Sequence, residues 1–545
     1  MTSLVARADG TVDQASFGTQ SQAIMQKTAS AQMTKDNKNP TRGYGAPGSM
    51  LVDPSNPQVI VAATSELRSL TCHLIRSDDA GTTWHILPKA PDPGSYPNCT
   101  VSDAGVPEAM IAWGKNNTLY YARAGYDLTA NEGIRAGHIS ILLQRSTDFG
   151  VSWTTTVVDN NRQSTSTTPP SDSGVTGLAV DSSGTSDVVY VGYIHRFPTV
   201  TSTPANINKL ADGEIDVATS TDGGSSFGAL VNVNTFSNVS ATINGKAYGL
   251  IGMNFFGNPF MTAHNGTVLT VMGAQFSVAN SPTGNTFLNL PQLLARSTDQ
   301  GKTWTVSALG PPTFTANGGG AGAMTGMGWT PTGGNQGTFV AAYSFTPSSA
   351  AGSGSPRVVE QRSTDGGQTW SDPLSIDDSD PSLKWTSFYP QMGVAPNGRV
   401  DVVFESNRDE ANDQFDVYYT YSNDGGKTWS KNVKANDNPV NFDFGISYNG
   451  DFRNNPGVAS ANEFAAVGWA DTRNANAATQ TQDNYASIVQ FETINAGNGL
   501  WLPILAAVLD GLATAAIVIA IIAIVQRRRR RAPVPTQEQP TAGTK

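Results

Sequence analysis

The chain has 545 residues, among them 34 basic and 44 acidic side chains, and a net charge of −10. Residues 1–499 hold 28 basic and 42 acidic side chains, which leaves this part near −14 and argues against nucleic acid as a partner. Glycine and other turn-forming residues are abundant, and long charged helical stretches are absent, as is typical of an all-β protein.

From Ser77 onward, the pattern Ser-x-Asp-x-Gly-x-x-aromatic occurs six times, with starts 59 to 77 residues apart. This period indicates a repeat architecture with one supersecondary unit per copy. Ser and Asp side chains accept hydrogen bonds from turn amides and Gly adopts positive φ, so each copy predicts a hairpin tip whose aromatic packs as a new strand begins. The pattern residues are Ser77, Asp79, Gly81, Trp84; Ser146, Asp148, Gly150, Trp153; Ser220, Asp222, Gly224, Phe227; Ser297, Asp299, Gly301, Trp304; Ser363, Asp365, Gly367, Trp370; and Ser422, Asp424, Gly426, Trp429.

This pattern is the Asp box, and through it residues 43–492 resemble the sialidase/BNR-repeat superfamily of β-propellers. In that family the box lies on the hairpin between the third and fourth strands of a blade, on the face away from the active site. Catalytic and non-catalytic members both carry it. The resemblance therefore implies a fold and leaves catalysis open.

Each box follows the same succession of short apolar stretches, and a seventh unit without a box begins at Gly457. We therefore expect seven blades of four antiparallel strands, with six blades as the alternative. The seventh unit lacks its last strand. A stretch within residues 13–35, part of the N-terminal segment 1–42, is the candidate that completes it and closes the ring, because closure removes exposed sheet edges.

Cys72 and Cys99 are the only cysteines of the chain. An even pair outside the cell can form one disulfide, and two free thiols are the alternative.

The propeller architecture brings the loops between second and third strands, and those between blades, to the face opposite the boxes. Five units have an arginine where the second strand should end, whereas Gln275 and Phe345 take this place in units four and five. Several arginines around one channel could bind an anionic ligand, because the planar guanidinium suits carboxylates. Alternatively, each pairs with an acid such as Asp409 or Asp471 and ties neighbouring blades. The five are Arg68, Arg123, Arg196, Arg408 and Arg473.

Sialidases bind the substrate carboxylate with three arginines and use a Tyr nucleophile paired with a Glu, plus an Asp as acid/base. Glu66-Leu67-Arg68 resembles their Glu-x-Arg, but Gly45-Ala46-Pro47 stands where their Arg-Ile-Pro is expected, so that arginine is missing and Arg42 lies out of register. The stretch from Tyr389 through Glu405 to Arg408 resembles a later strand pair of the family.

No Tyr or acid/base Asp is matched to the family residue by residue. The candidate catalytic residues are Tyr389 as nucleophile with Glu405 as its partner, and Asp103, in a loop on the expected active face, as acid. Tyr193, Tyr448 and Glu108 are further residues to test. Each tyrosine also fits a packing role, and each loop carboxylate also fits a solvated surface.

No cofactor is expected to be required, since the five histidines are scattered and lack the spacing of metal ligands. The Asp377–Asp380 turn, which holds three acids, could bind a structural Ca²⁺ through hard oxygen ligands or be a solvated loop.

After a short linker at 493–499, residues 500–526 form an apolar stretch long enough to span a bilayer. Trp501 stands at one end and the basic run Arg527–Arg531 at the other, with Asp510 inside the segment. The basic run predicts that residues 527–545 are a cytoplasmic tail. We therefore expect a single-pass membrane protein with an extracellular propeller.

Two functions fit these features. The first is a sialidase-like propeller at the cell surface that binds extracellular glycans or proteins. The second is an active exo-glycosidase of the sialidase type that hydrolyses terminal sugars of glycoconjugates. The missing arginine favours the first, and the arginines on the expected active face keep the second open.

Overall fold

The computed structural model divides into two units, Met1–Phe491 and Glu492–Lys545. The residues it describes are 3–6, 12–34, 41–66, 68–69, 71–88, 98–99, 110–126, 139–159, 176–195, 214–233, 240–243, 246–278, 287–309, 313–315, 325–345, 348–349, 352–353, 355–380, 386–409, 414–441, 443–445 and 455–492. The expected linker, transmembrane helix and tail at 493–545 lie outside these ranges. Within them, no helix is long and apolar enough to cross a bilayer.

The first unit is a β-propeller of seven four-stranded antiparallel blades, as the repeat predicted, and the six-blade alternative is excluded. The first strands contact one another in a closed ring, with blade 7 meeting blade 1. The strands, in order within each blade, are Ser49–Asp53, Asn56–Glu66, Thr71–Ser77 and His85–Ile86 (blade 1); Met110–Trp113, Leu119–Tyr126, Ile139–Ser146 and Thr154–Asp159 (blade 2); Thr176–Asp181, Val188–His195, Glu214–Ser220 and Val231–Asn232 (blade 3); Lys246–His264, Thr267–Val278, Phe287–Ser297 and Thr305–Leu309 (blade 4); Thr325–Thr330, Thr338–Phe345, Arg357–Ser363 and Leu374–Ser375 (blade 5); Ser387–Val394, Val400–Ser406, Gln414–Ser422 and Val433–Lys434 (blade 6); and Gly457–Ser460, Phe464–Asp471, Asp483–Phe491 and Ile24–Lys27 (blade 7).

The core lies between the blades. The second strands of blades 5, 6 and 7 are buried at every residue, because a neighbouring blade covers each face. Between blades 6 and 7, for example, Tyr419 and Tyr421 pack with Val467 and Trp469. Strands rich in β-branched and aromatic residues are suited to this two-sided burial.

Residues 12–34, which we call the N-terminal belt, run along blades 5, 6 and 7. Asp13–Gln14 pairs parallel with the outer strand of blade 5, and Ser16–Phe17 pairs parallel with Thr428–Trp429 of blade 6. Ile24–Lys27 then pairs antiparallel with Asp483–Phe491 and is the fourth strand of blade 7. The first residues of the chain thus complete the last blade of the ring.

Several shorter elements accompany the seven blades. Ser3–Ala6 pairs parallel with Ser240–Ile243, which extends the sheet of blade 4. The others are Ala31–Gln32, Asn98–Cys99, Thr313–Thr315, Ser348–Ser349, Gly352–Ser353, Val440–Asn441 and one 3-10 helix, Lys115–Asn117. Cys72, in the third strand of blade 1, is disulfide-bonded.

All six boxes form the same hydrogen-bonded hairpin tip between third and fourth strands. The Ser hydroxyl donates to the Asp at 2.7–2.8 Å and accepts the Gly N–H at 2.7–2.9 Å. In five boxes the Trp indole donates to the Gly carbonyl at 3.0–3.2 Å. Hydrogen bonds from Ser152 lower the pKa of the box residue Asp148 to about 2.

The residue before the box serine ties neighbouring blades together. In four blades it is an arginine that donates to a carbonyl in the box of the next blade, at 2.7–3.1 Å: Arg76 to Phe149, Arg145 to Gly223, Arg296 to Gly366 and Arg362 to Gly426. These bonds link boxes across four of the boundaries between neighbouring blades, which we call seams.

Candidate functional site

The two faces of the propeller carry different groups. The boxes and the turns between first and second strands lie on one face, which we call the box face. Because neighbouring strands are antiparallel, the loops between second and third strands and those between blades emerge on the opposite face, here the loop face. Three of the arginines selected from the sequence, Arg68, Arg408 and Arg473, follow second strands and belong to the loop face.

Arg408 is held in place by blade 5. It follows the second strand of blade 6 and donates to Asp377 at 3.1 Å and to Asp378 at 2.7 Å, two acids just after the outer strand of blade 5. It also donates to Asn432, and its guanidinium carbon stacks 3.6 Å from the ring centre of Tyr418. Only 8% of its side chain is exposed. Arg408 is therefore a clamp across the seam between blades 5 and 6.

Arg473 repeats this arrangement one blade further on. It donates to Asp471 at 2.6 Å and to Asp437 at 3.0 Å, an acid that follows the outer strand of blade 6. Its guanidinium stacks 4.0 Å from the ring centre of Tyr485, and it also donates to Ser30 of the N-terminal belt. The two arginines thus perform the same bridging task at successive seams.

The other arginines selected from the sequence are placed differently. Arg68 is exposed and donates to the carbonyls of Thr479 and Gln480, which joins blade 1 to blade 7. Arg123 lies inside a strand, 2% exposed, and donates to Gln144; burial lowers its pKa to about 10. Arg196 lies outside the described residues. Arg408, Arg473 and Arg68 therefore occupy three consecutive seams and are bound there by the protein itself.

Tyr389 has an unusual backbone. Its φ is +55° although Pro390 follows, and a residue before proline ordinarily adopts an extended conformation. A bulge interrupts the strand pairing between Phe388 and Gln391. The half-buried ring packs against a blade 4–5 cluster and meets Phe388 edge-on at 4.5 Å. Strain of this kind is stored where surrounding structure enforces it, often at functional sites.

Glu405 is 1% exposed. In the sheet it pairs with Phe388, the residue that precedes Tyr389. Tyr193 is fully buried and donates its hydroxyl to Asp159 at 2.9 Å, which is a packing position. Asp103, Glu108 and Tyr448 lie outside the described residues. Of the expected catalytic set, the structure therefore describes Tyr389 and Glu405, close together in the blade 6 sheet.

A pocket of about 350 Å³ opens beside Arg408. Its acids outnumber its single base, so its local charge is negative. The Tyr418 hydroxyl donates to Asp409, and burial together with this bond raises the pKa of Tyr418. The lining residues are Asp378, Ser379, Asp380, Arg408, Asp409, Tyr418 and Asn432.

Two acids of the Asp377–Asp380 turn, Asp377 and Asp378, accept hydrogen bonds from Arg408. Asp377 accepts from the backbone N–H of Ser379 at 3.1 Å and from the Ser387 hydroxyl. Among the described residues, no group of three or more His, Cys, Asp or Glu is arranged to hold a metal ion.

Arg399, which was not among the residues selected from the sequence, replaces a box arginine at the seam between blades 6 and 7. Blade 6 has Tyr421 before its box serine, and its hydroxyl donates to the Gln22 carbonyl of the belt. Arg399, fully buried, donates to the Gln22 side chain and to the Ala461 and Phe464 carbonyls. The sequence did contain a signal for this exception: Tyr421 stands before the box serine of blade 6, where four other blades have an arginine.

The family model for the BNR/Asp-box repeat matches residues 361–372 and 420–431, the fifth and sixth boxes. No curated protein matches the chain. Among solved structures, the α-L-arabinofuranosidase Arb93A of Fusarium graminearum is 14% identical, covers 69% of this chain and 92% of its own, and has a TM-score of 0.43. An ulvan lyase of family PL25 is 10% identical, with coverages of 83% and 97% and a TM-score of 0.43.

A sialidase of Trypanosoma rangeli, solved with sialic acid, is 12% identical, with coverages of 74% and 56% and a TM-score of 0.36. At these identities the likeness concerns the fold alone. Together with the six hairpin tips and the ring of blades, the repeat matches identify the chain as a seven-bladed β-propeller with BNR/Asp-box repeats.

Proposed function

We propose that this propeller is a non-catalytic glycan-binding protein, held at the outer surface of the cell membrane by residues 500–526. The observation that carries the proposal is the engagement of Arg408, Arg473 and Arg68 by acids and carbonyls of neighbouring blades. An arginine already bound in this way is a poor clamp for a substrate carboxylate, because the incoming acid must displace a protein acceptor.

The pocket beside Arg408 is the proposed binding site. Its carboxylates can accept hydrogen bonds from sugar hydroxyls. Asp378, Asp380 and Asp409 give the pocket a negative charge. We therefore expect a neutral sugar to bind and an acidic sugar to be repelled.

A glycan array probed with the labelled full chain in detergent tests this proposal. We expect retention on neutral glycans, weaker retention on their sialylated counterparts, and loss of retention in the double variant Asp380→Asn/Asp409→Asn. Asp78→Asn, which removes an exposed charge from the box face, is the matched control. Retention that survives the double variant, or a preference for sialylated glycans, would overturn the proposal.

One observation favours the exo-glycosidase as second candidate. Tyr389 has a strained backbone and lies in the bulge directly after Phe388, which pairs with the buried Glu405, and a positioned nucleophile and its partner would need such proximity. Hydrolysis of fluorogenic glycosides by the full chain tests it. Turnover that is lost in Tyr389→Phe would establish catalysis, and absence of turnover by folded protein would leave the binding function.

A further inference from the structure

The central channel contains a second cavity, on the box face and away from the pocket beside Arg408. It has a volume of about 570 Å³, and first strands or their turns from all seven blades line it. Pro54, Pro396 and Asn462, which belong to turns between first and second strands, place it at the box-face end of the channel. We call it the box-face cavity.

Most of the residues that line it are apolar, although polar groups contribute about half of its exposed wall. The apolar residues include three methionines, Met50, Met327 and Met392, and two tryptophans, Trp113 and Trp329. Methionine adapts its shape to an apolar guest, and tryptophan offers both apolar area and a face of negative potential. The wall is thus suited to a hydrocarbon body, with or without a cationic head.

The charge of the wall is wholly acidic. Asp53 and Glu463 are the charged residues of the lining that the structure describes, and this lining includes no Lys, Arg or His. His264 stacks on Trp329 with ring centres 3.4 Å apart, and burial lowers its pKa, so it adds no positive charge near neutral pH. A cation is therefore favoured over an anion in this cavity.

One carboxylate oxygen of Asp53 has no hydrogen-bond donor among the described residues. Asp53 is 1% exposed, and its Oδ1 accepts from the backbone N–H and the hydroxyl of Ser55, both at 2.8 Å. Its Oδ2 is buried and has no hydrogen-bond partner among the described residues. A buried carboxylate oxygen without a donor is unfavourable, so this oxygen is a strong acceptor for a ligand.

The corresponding aspartate of blade 3, Asp181, has the hydrogen-bond donor that Asp53 lacks. Asp181 ends the first strand there as Asp53 does in blade 1, and its Oδ1 accepts from the same two groups of Ser183. Its Oδ2 accepts the N–H of Gly266, in the corresponding turn of blade 4, at 2.6 Å. In blade 2, the turn that corresponds to Gly266 bonds a different acid: the backbone N–H of Lys115 donates to Asp187 of blade 3.

We propose that the box-face cavity binds a small organic cation, a primary alkylammonium group on a short hydrocarbon chain. The ammonium donates to Asp53 Oδ2, which then has the third donor that Asp181 obtains from its neighbouring blade. The hydrocarbon packs on the methionines, and the tryptophan faces stabilise the positive charge. A neutral alcohol of the same length lacks the charge, and a carboxylate of the same length is repelled by Asp53 and Glu463.

Calorimetric titration of the full chain in detergent with n-butylammonium chloride tests the proposal, with blank micelles subtracted. We expect saturable binding, at least tenfold tighter than that of butanol or butyrate. Asp53→Asn is expected to weaken butylammonium binding at least tenfold. Asp181→Asn, the same change at the equivalent turn of blade 3, is expected to leave it unchanged.

A second variant covers the case in which Asp53→Asn does not fold. Met327→Lys places a tethered cation in the cavity and is expected to abolish butylammonium binding. The proposal is overturned by the absence of saturable binding, by equal affinity for butanol, or by a folded Asp53→Asn or Met327→Lys protein that binds as well as the wild type.

Discussion

Arg399 and Asp401, two residues apart in blade 6, form a doubly hydrogen-bonded ion pair in which neither side chain is exposed. The same guanidinium stacks 3.7 Å from the ring centre of Phe491 in blade 7. This pair stands at the seam where blade 6 meets the one blade without a box. From the start of the second strand, it therefore replaces the bridge that box arginines form at four other seams.

Arg399→Leu is expected to destabilise the propeller strongly. The change leaves the Asp401 charge buried without its partner, which costs about 3–5 kcal/mol. Urea unfolding of the wild type and the variant measures the difference. Replacing both residues, Arg399→Leu with Asp401→Leu, removes the buried charge and is expected to recover much of the lost stability. An Arg399→Leu protein that is as stable as the wild type would contradict this role.

Glu360 makes stability depend on pH. Burial raises its pKa from 4.5 to about 8, against the opposing effect of its ion pair with Arg362. The folded state therefore holds a proton that the unfolded state releases. Its stabilising contribution is complete below pH 4.5 and is lost as pH rises to about 8.

Glu360→Gln removes this pH dependence because glutamine does not titrate. The difference in unfolding free energy between variant and wild type, measured in urea from pH 4.5 to pH 9, is expected to shift in favour of the variant as pH rises. A difference that stays constant with pH would show that Glu360 titrates normally in the folded protein.

A comparison of two glycines distinguishes the destabilisation due to backbone strain from that due to a steric clash. Gly266 and Gly301 have similar φ values, +78° and +80°, in regions that other residues rarely adopt. A Cβ at Gly266 meets nothing within 4 Å, whereas at Gly301 it would lie 2.7 Å from the Thr219 hydroxyl of the neighbouring blade. Gly266→Ala is therefore expected to cost about 1 kcal/mol from strain alone, and Gly301→Ala to cost more. Thermal unfolding of the two variants checks this order.

The N-terminal belt is expected to contribute stability through Met33. This side chain is fully buried among Ile75, Ala486 and Ile488, so Met33→Ala is expected to cost about 2–5 kcal/mol by leaving a cavity. Met25, 65% exposed in the same belt, is the matched control, and Met25→Ala is expected to have little effect. Equal melting temperatures for the two variants would show that the belt is dispensable.

The fold could be predicted because its evidence is local. Each box is a self-contained turn in which Ser77 and its equivalents bond residues at most a few positions away, and its chemistry is therefore legible in the sequence. The seventh blade could be inferred because its apolar stretches repeat the pattern. The pairing of Ile24–Lys27 with Asp483–Phe491 was open to prediction only as a range, since its partner lies more than 450 residues away.

The site was less predictable, because its geometry depends on contacts between blades. The sequence placed Arg408 and Arg473 after their second strands and offered acids as partners, but it named Asp409 where Asp377 and Asp378 are used. The positive φ of Tyr389 has no sequence signal, since proline ordinarily disfavours it. The spare acceptor of Asp53 depends on how a turn in another blade is directed.

The belt also sets the order of events during synthesis. Its strand Ile24–Lys27 leaves the ribosome more than 450 residues before its partner Asp483–Phe491. At about 5–20 residues per second, this strand waits tens of seconds for its place. Blades 1 to 4 are complete in sequence by Leu309 and can collapse while the belt is still unpaired. Ring closure is therefore the last step, and a nascent chain interrupted before blade 7 leaves the edge of the belt strand without its hydrogen-bonding partner.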